Sequence, residues 1–361
     1  MVTQIEKINA IQPEKEKIQA AADIIRGGGL VAFPTETVYG LGAAALLPEG
    51  SRRIYAAKGR PSDNPLIVHI ADFDALDRIV RALPPQARML ADAFWPGPLT
   101  MIFQKSDAVP YETTGGLDTV AVRMPNHAVA LELIRAGGGY IAAPSANTSG
   151  RPSPTTAAHV YTDLQGKIPM ILDGGAVGIG IESTIIDLSG ISRCADGTWA
   201  GDEMPMILRP GYITGEMLSD VIGSVCDDPG LAGTGENVRP KAPGMKYRHY
   251  APKAELTIVS GEPHRVAARM NAIAEENRSR GERTGIICTE ETREWYRADV
   301  VKCIGSRGDA DSIARNLYAF LREFDDLGVD RILSESFADL RIGKAVMNRL
   351  LKAAGQRVIE V

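Results

Sequence analysis

Short apolar segments alternate with helical segments through most of this chain. Apolar runs predict strands at 30–33, 66–70, 99–103, 119–123, 140–143, 170–172, 184–188 and 206–208. Helical spacing of apolar residues and turn signals predict helices at 13–27, 50–57, 72–82, 85–94, 126–136 and 155–163. The alternation is typical of a mixed α/β fold, and the crowded strands late in the series predict a partly antiparallel sheet.

The alternation stops between Gly223 and Pro252, where proline and glycine concentrate and no apolar period survives. This stretch is longer than the ~12–15 residues usual for a structureless loop, so it is either disordered or functional. The pattern then resumes, with strands predicted at 256–259, 285–288, 300–303 and 329–333 and helices at 262–280, 311–327 and 343–354. We therefore predict a first α/β domain at 1–222, a linker or lid at 223–253, and a small Rossmann-like domain at 254–361.

Composition excludes several classes of protein. A net charge of −5 and a pI near 5.7 argue against tight nucleic-acid binding. The four cysteines share no C-x-x-C spacing, so neither a zinc site nor a disulfide framework is expected. No apolar run approaches the ~20 residues that cross a bilayer, and the N-terminus carries charge where a secretion signal needs apolar residues. We expect a cytoplasmic protein without a membrane segment.

Polar groups follow several of the predicted strands and helices. Lys58 and Arg60 flank one glycine and can converge on one anion, with Asn64 adding an amide contact; the alternative is a solvated basic turn. Thr37 and Ser145 lie in turns after predicted strands, where open α/β sheets bind ligands, although plain turn chemistry also explains them.

Two further residues lie in the predicted strands themselves. Arg123 ends the strand 119–123, where its guanidinium can clamp a carboxylate, or it is an ordinary strand-edge arginine. His69 lies in an apolar run, where a satisfied structural histidine is the more common case. The segment 182–184 precedes another strand and also reads as a turn. A P-loop and a dinucleotide-binding G-x-G-x-x-G are not present at the expected positions.

The order of these segments resembles one family. They are PTETVYGLG at 34–42, KGRPSDNPLIVH at 58–69, TVAVRMP at 119–125, PSANTSGRP at 144–152, EST at 182–184, LRPG at 208–211 and PGMKYRHYAP at 243–252. Together they resemble the YrdC-like family, in its two-domain threonylcarbamoyl-AMP synthase form. The resemblance implies a YrdC-like twisted mixed sheet with flanking helices, followed by a smaller Rossmann-like α/β domain.

The resemblance also implies a reaction and a set of binding residues. L-threonine, bicarbonate and ATP would give threonylcarbamoyl-AMP and pyrophosphate for the tRNA threonylcarbamoyl-transfer machinery, with Mg²⁺ delivered on the ATP. Lys58 and Arg60 would be the central phosphate-binding residues. The other implied ATP contacts are Asn64, Thr119, Ser145, Asn147, Ser153, Arg209 and Tyr250, and the implied threonine contacts are Thr37, His69, Arg123, Ala143 through its backbone, and Ser183.

One stretch departs from the family pattern. Residues 189–203 look like an insertion before Arg209 and put that ATP contact in doubt. Within the linker, Tyr250 would cover bound nucleotide as part of a lid. Two other functions stay open. An RNA-binding or ribosome-associated module is disfavoured by the acidic pI, and a carbamoyltransferase of hydrogenase maturation would need zinc-finger cysteines that the chain lacks.

Overall fold

The computed structural model describes residues 1–193, 199–200, 204–232 and 250–361. These residues form two compact units. The first contains Met1–Ser149, Pro154–Gly178 and the described residues of 182–232. The second contains Gly150–Ser153, Ile179–Ile181 and the described residues of 250–361. The domain and linker boundaries proposed above stay predictions, because most of the linker lies outside the described residues.

The first unit is built on one large sheet with flanking helices. Its strands are β1 (Gln4–Lys7), β2 (Val31–Phe33), β3 (Gly40–Ala44), β4 (Ile67–His69), β5 (Leu99–Gln104), β6 (Thr119–Arg123), β7 (Ile141–Ala142), β8 (Met170–Asp173), β9 (Thr184–Asp187), β10 (Ser192–Arg193), β11 (Trp199–Ala200), β12 (Met206–Arg209) and β13 (Cys226–Asp227). Its helices are α1 (Lys15–Arg26), α2 (Pro48–Lys58), α3 (Leu76–Ile79), α4 (Pro85–Phe94), α5 (Tyr111–Thr114), α6 (Ala128–Ala136), α7 (Ala157–Leu164) and α8 (Gly215–Ile222).

The strand order of this sheet is β1-β8-β2-β3-β7-β4-β6-β5-β9-β12-β13, while β10 and β11 form a separate hairpin. Its centre is mixed, since β4 runs parallel to β6 and antiparallel to β7, and β5 runs antiparallel to β6 and parallel to β9. These central strands carry buried aliphatic residues such as Val68, Met101 and Val122. Burial on both faces explains why the strands read as continuous apolar runs.

The second unit has a smaller sheet in which the strand pairs of the described residues are all parallel. It consists of β14 (Glu255–Ser260), β15 (Thr284–Cys288), β16 (Val300–Cys303), β17 (Arg331–Glu335) and β18 (Val358–Glu360), in the order β16-β15-β17-β14-β18. The connecting helices are α9 (Pro263–Ser279), α10 (Ala310–Leu327) and α11 (Gly343–Ala354). This is the predicted Rossmann-like architecture, and the predicted fold class is confirmed for both units.

Several elements differ from the sequence prediction. The helix predicted at 72–82 is a 3-10 turn at Phe73–Ala75 followed by the single turn of α3. The strands β1, β3 and β18 and the short helices α5 and α8 were not predicted. The strand β3 begins at Gly40 and carries glycine at alternate positions, so its composition favours a turn over a strand.

The stretch 189–203 contains the β10–β11 hairpin, in which Ser192 pairs with Ala200. The prediction that this stretch reshapes the pocket concerns residues that lie largely outside the described ones. At the start of the predicted linker, β13 pairs in parallel with β12 and so belongs to the large sheet. Of the linker or lid predicted at 223–253, residues 233–249 lie outside the described residues.

Within the described part of the chain, no helix is long and apolar enough to cross a membrane. Cys226, Cys288 and Cys303 are free thiols, and Cys194 lies outside the described residues. The described residues also contain no group of three or more histidine, cysteine or carboxylate side chains arranged to hold a metal ion.

A close approach between strands explains one glycine in β3. A Cβ at Gly42 would lie 2.8 Å from a ring carbon of Phe33 and 2.9 Å from a methyl of Ile141, on the two neighbouring strands. We expect Gly42→Ala to lower the free energy of unfolding by about 1–3 kcal/mol, because a packed core accepts an added methyl poorly. Urea denaturation measures the change. The matched Gly178→Ala places its Cβ no closer than 3.9 Å to a neighbour and should cost less; equal losses would contradict the packing argument.

Candidate active site

Three neighbouring strands place polar side chains in one row across the large sheet. In the strand registers, His69 of β4 pairs with Arg123 of β6, and Arg123 pairs with Thr100 of β5. All three side chains are buried. Thr100 Oγ1 then lies 2.8 Å from Ser183 Oγ, which precedes β9. The registers therefore bring together three of the predicted threonine-binding residues, His69, Arg123 and Ser183.

The guanidinium of Arg123 is only 4% exposed and has an acidic neighbour. Arg123 Nη2 lies 2.7 Å from Glu36 Oε2, and Arg123 Nε donates to the carbonyl of Gly97 at 3.4 Å. The contact with Glu36 is an ion pair whose angles are unsuited to a hydrogen bond. A buried arginine in this setting fits the prediction of a carboxylate clamp better than that of a strand-edge residue.

His69 is held in a dry environment. Its Nδ1 lies 3.2 Å from the carbonyl of Ile67, and its ring meets the Phe33 ring edge-on at a centroid distance of 6.3 Å. Burial, together with the positive charge of Arg123, lowers the pKa of His69 to about 3. The imidazole is therefore neutral at neutral pH and can take part in hydrogen bonds without repelling a nearby cation.

Hydroxyl groups surround the rest of this row. Thr35 Oγ1 lies 2.9 Å from Thr37 Oγ1 and donates to the carbonyl of Val38 at 2.7 Å, which fixes the turn between β2 and β3. Arg209 donates from Nη2 to Ser183 Oγ at 3.1 Å and from Nε to the Ser183 carbonyl at 3.0 Å. Arg209, predicted as an ATP contact, is thus bound to a predicted threonine contact.

Lys58 connects two of the predicted segments. It ends α2, is 1% exposed, and its Nζ donates to the carbonyls of Ser145 and Asn147. The Lys58 carbonyl in turn accepts from the backbone N–H of Ser149 at 2.9 Å. The alternative of a solvated basic turn is therefore wrong for Lys58. The ammonium group organises the turn at 144–149 next to the end of α2.

The other predicted ATP contacts of the first unit include Arg60, Asn64 and Thr119. Arg60 donates to the carbonyls of Asn64 at 3.3 Å and Pro65 at 3.1 Å, so its guanidinium group links the two ends of the loop 60–65. Asn64 is buried, and its Oδ1 has no hydrogen-bond donor among the described residues. Thr119 begins β6 and Arg123 ends it, which separates their Cα atoms by ~13 Å. Such a separation leaves room for distinct nucleotide and amino-acid subsites.

Of three further predicted contacts, one is hydrogen-bonded within the sheet and two belong to the second unit. The backbone N–H of Ala143 already donates to the carbonyl of Ile67 at 2.9 Å, between β7 and β4. Ser153 and Tyr250 belong to the second unit. Tyr250 has a positive φ of 65° and stacks on Tyr318 with ring centroids 5.2 Å apart. Its role as part of a lid over the nucleotide stays a prediction.

The second unit has its own cavity at the carboxyl edge of its sheet. A volume of about 400 Å³ lies between the loops that follow β14 to β17. At its floor, the buried Glu335 carboxylate accepts from Tyr296 at 2.7 Å and from Thr292, and it pairs with Arg307 at 3.0 Å. Carboxyl edges of parallel sheets commonly bind ligands, but this carboxylate is already saturated.

The sequence prediction missed four residues around Arg123. Glu36, Gly97 and Thr100 contact it or pair with it, and the charge of Glu36 acts on the ring of His127. Glu36 lies inside the segment 34–42 that was singled out, but its neighbours Thr35 and Thr37 were weighed instead. Thr100 lies in the apolar strand β5, and only its pairing with Arg123 shows that it faces the site. A register of this kind cannot be read from one strand alone.

The low pKa of His69 predicts a pH dependence of stability. The folded-state pKa of about 3 lies below the ordinary value of 6.5, so the unfolded chain binds more protons between these two values. This contribution to stability is complete above pH 6.5 and falls by up to ~1.4 kcal/mol per pH unit as the pH drops toward 3. Urea denaturation at a series of pH values should show a shallower acid loss for His69→Gln. If the pH profiles of stability of the unmodified chain and of His69→Gln ran parallel, the low pKa would not belong to His69.

Comparisons with known proteins agree with this architecture. A family model described as "Telomere recombination" matches residues 23–196, and one described as "Threonylcarbamoyl-AMP synthase, C-terminal domain" matches residues 213–355. The threonylcarbamoyl-AMP synthase of Bacillus subtilis is 50% identical over 95% of this chain and 94% of its own length. That of Pyrococcus abyssi is 49% identical over 96% of this chain and 97% of its own length.

A solved structure resembles the whole chain as well. The crystal structure of Pyrococcus abyssi Sua5 in complex with L-threonine covers 99% of both chains at 47% identity, with a TM-score of 0.91. The sequence similarity therefore extends through both units. The chain belongs to the two-domain threonylcarbamoyl-AMP synthase family.

Proposed function

We propose that this chain is an L-threonylcarbamoyladenylate synthase, a nucleotidyltransferase that makes threonylcarbamoyl-AMP and pyrophosphate from L-threonine, bicarbonate and ATP. The observation that carries the proposal is the near-complete coverage of relatives with this activity at about half identity, combined with the buried polar row on β4, β6 and β5. The product would serve the modification of tRNA next to the anticodon.

In the proposed amino-acid subsite, Arg123 binds the threonine carboxylate. The neutral His69 and the buried hydroxyls of Thr37 and Ser183 are the partners proposed for the threonine side-chain hydroxyl. The contact of Arg209 with Ser183 favours a role for Arg209 in orienting this hydroxyl, in addition to the ATP contact expected by resemblance. The backbone of Ala143 completes the set proposed for threonine.

In the proposed nucleotide subsite, Lys58 and Arg60 neutralise the triphosphate. Both cations hold backbone carbonyls in this structure, so ATP binding exchanges those contacts for phosphate oxygens. Asn64 has a free buried amide oxygen that can accept from the base or ribose. Thr119, Ser145, Asn147, Ser153 and Tyr250 are the other residues proposed for ATP.

The chemistry needs positioning and charge neutralisation. The threonine amine attacks the bicarbonate carbon and water is released, which gives a carbamate. A carbamate oxygen then attacks the α-phosphorus in line with the departing pyrophosphate. Holding the two reactants together converts a bimolecular step into an intramolecular one, and fixed cations stabilise the charge that develops. Mg²⁺ would enter with ATP as part of the substrate, and the phosphates themselves are its expected ligands.

The proposal also covers the cellular compartment and the partners of the protein. We expect a cytoplasmic enzyme that hands its product to the tRNA threonylcarbamoyl-transfer machinery without holding tRNA tightly itself. The alternative of an RNA-binding module finds no support in a net charge of −5.

Product analysis with one variant tests the synthase assignment. Mass spectrometry should detect threonylcarbamoyl-AMP and an equal amount of pyrophosphate from the full chain with ATP, L-threonine and bicarbonate. Arg60→Ala should lower kcat/KM for ATP by about 10²–10³, because it removes a preorganised charge. The control is Arg52→Ala, an exposed arginine of α2 paired with Glu112. No product from the full chain would overturn the assignment, and equal effects of both variants would remove the role of Arg60.

Side-chain selectivity tests the amino-acid subsite. Valine should bind at least about 10²-fold more weakly than L-threonine, since a buried site that hydrogen-bonds a hydroxyl leaves those groups unpaired when the hydroxyl is missing. Serine, which lacks only the methyl, should lose about 1–3 kcal/mol. Isothermal calorimetry on the full chain measures the three affinities. Equal affinity for valine and threonine would show that polar contacts do not recognise the side chain of the amino acid.

A further inference from the structure

A cluster of buried polar atoms without hydrogen bonds lies beside Arg123. Both carboxylate oxygens of Glu36 are buried, and neither has a hydrogen-bond donor among the described residues. The same holds for Arg123 Nη2 and for His127 Nδ1. The three side chains are close enough to influence one another: Arg123 pairs with Glu36 at 2.7 Å, and the Glu36 charge acts on the His127 ring.

Such groups are rarely left unsatisfied in a folded protein. A buried donor or acceptor without a partner costs about 1–3 kcal/mol, and a charged group costs more. Here the Glu36 oxygens, the most costly of the set, lack donors although a guanidinium lies next to them. A ligand that brings N–H donors to Glu36 and acceptors to Arg123 would satisfy these atoms together.

An α-amino acid carries the matching charges on one carbon. Its carboxylate fits the guanidinium of Arg123, and its ammonium supplies three N–H donors to a neighbouring carboxylate. We propose that Glu36 binds the α-ammonium group of the amino-acid substrate, so that Glu36 and Arg123 together recognise its two charges. This inference rests on the proposed synthase function and adds a specificity residue to it.

The surroundings of Glu36 suit a bound ammonium group. His127 lies near the carboxylate, and burial lowers its pKa below the ordinary value although the Glu36 charge opposes this shift. His69, on the other side of Arg123, is also neutral. Both imidazoles can therefore lie close to an ammonium ion without repelling it, and Arg123 is the one cation in contact with Glu36 within the described part of the chain.

The placement has a consequence for the reaction. Once the ammonium group has lost a proton, its nitrogen is the atom that combines with the bicarbonate carbon, with release of water. The carboxylate that held the ammonium group therefore orients the nucleophile of the first step. Glu36 also lies one residue from Thr37, whose hydroxyl is fixed by Thr35. The turn between β2 and β3 would thus hold the amino group and contribute to side-chain recognition from consecutive residues.

Ligand pairs test the proposal on the unmodified full chain. (R)-3-hydroxybutyrate keeps the carboxylate, hydroxyl and methyl of L-threonine and lacks the ammonium group. Calorimetry should show L-threonine binding at least about tenfold more tightly than this analogue. If the chain binds neither ligand and makes no product, the proposed synthase function itself fails. If it makes product but binds both ligands equally, only the role of Glu36 fails.

The variant Glu36→Gln separates ammonium binding from a purely structural role. It keeps the size of the side chain and removes its charge, so L-threonine should bind about 10- to 100-fold more weakly. (R)-3-hydroxybutyrate should bind equally or more tightly, because a carboxylate that competes for Arg123 is gone. Equal weakening of both ligands would mean that Glu36 only positions Arg123 and would overturn the proposal, as would unchanged threonine binding.

Two further variants serve as controls for this test. Glu112→Gln removes another ion-paired glutamate of the first unit and should change neither affinity. Glu36→Asp keeps the charge but shortens the side chain by one carbon. It should retain a preference for L-threonine over the analogue, even if Glu36→Gln proves too unstable to measure. Loss of that preference in Glu36→Asp, with a native urea transition and unchanged ATP affinity, would overturn the proposal.

Discussion

The pairing of Arg123 between His69 and Thr100 is the constraint on which the first-unit site depends. It follows from the mixed centre of the sheet, where β6 is parallel to one neighbour and antiparallel to the other. The end of β6 therefore lies beside the end of β4 and near the start of β5. A slip of one residue would turn Arg123 to the other face and separate it from both neighbours. The buried apolar residues of these strands specify the register, so core packing also positions the charged group.

Buried charges are the second common feature of the site. Lys58, Arg123 and Arg209 are each at most 4% exposed, and each contacts oxygens of the turns around the sheet. Taking cations out of water is costly unless hydrogen bonds and opposite charges compensate. In Lys58 and Arg209 backbone carbonyls provide much of that compensation. At Arg123 the compensation is incomplete, since its ion pair with Glu36 is poorly aligned. The three cations therefore differ in how far hydrogen bonds within the protein compensate their charge.

Much of this organisation can be predicted from the sequence, and the elements and contacts that were not predicted have physical reasons. The strands 119–123 and 300–303 and the helices 85–94 and 343–354 have the predicted bounds, because continuous apolar runs or strong helical periods define them. The strand β3 was missed because its Gly-Leu-Gly start is unfavourable by composition, and only contacts with β2 and β7 make it a strand. The pairing of Lys58 with carbonyls at 145 and 147 was also not predictable, since it joins residues almost ninety positions apart through the fold.

The candidate site residues illustrate the same limit. Motif order suggested which side chains matter, but it grouped them by their expected ligands and not by contact. The structure instead connects Arg209 to Ser183 and Thr100, which links a predicted nucleotide residue to the amino-acid row. Such a link is chemically sensible, because the carbamate formed on threonine must reach the α-phosphorus of ATP. Within the proposed synthase function, the contact of Arg209 with Ser183 favours a position of Arg209 beside the amino-acid subsite, with Ser183 as the point of contact.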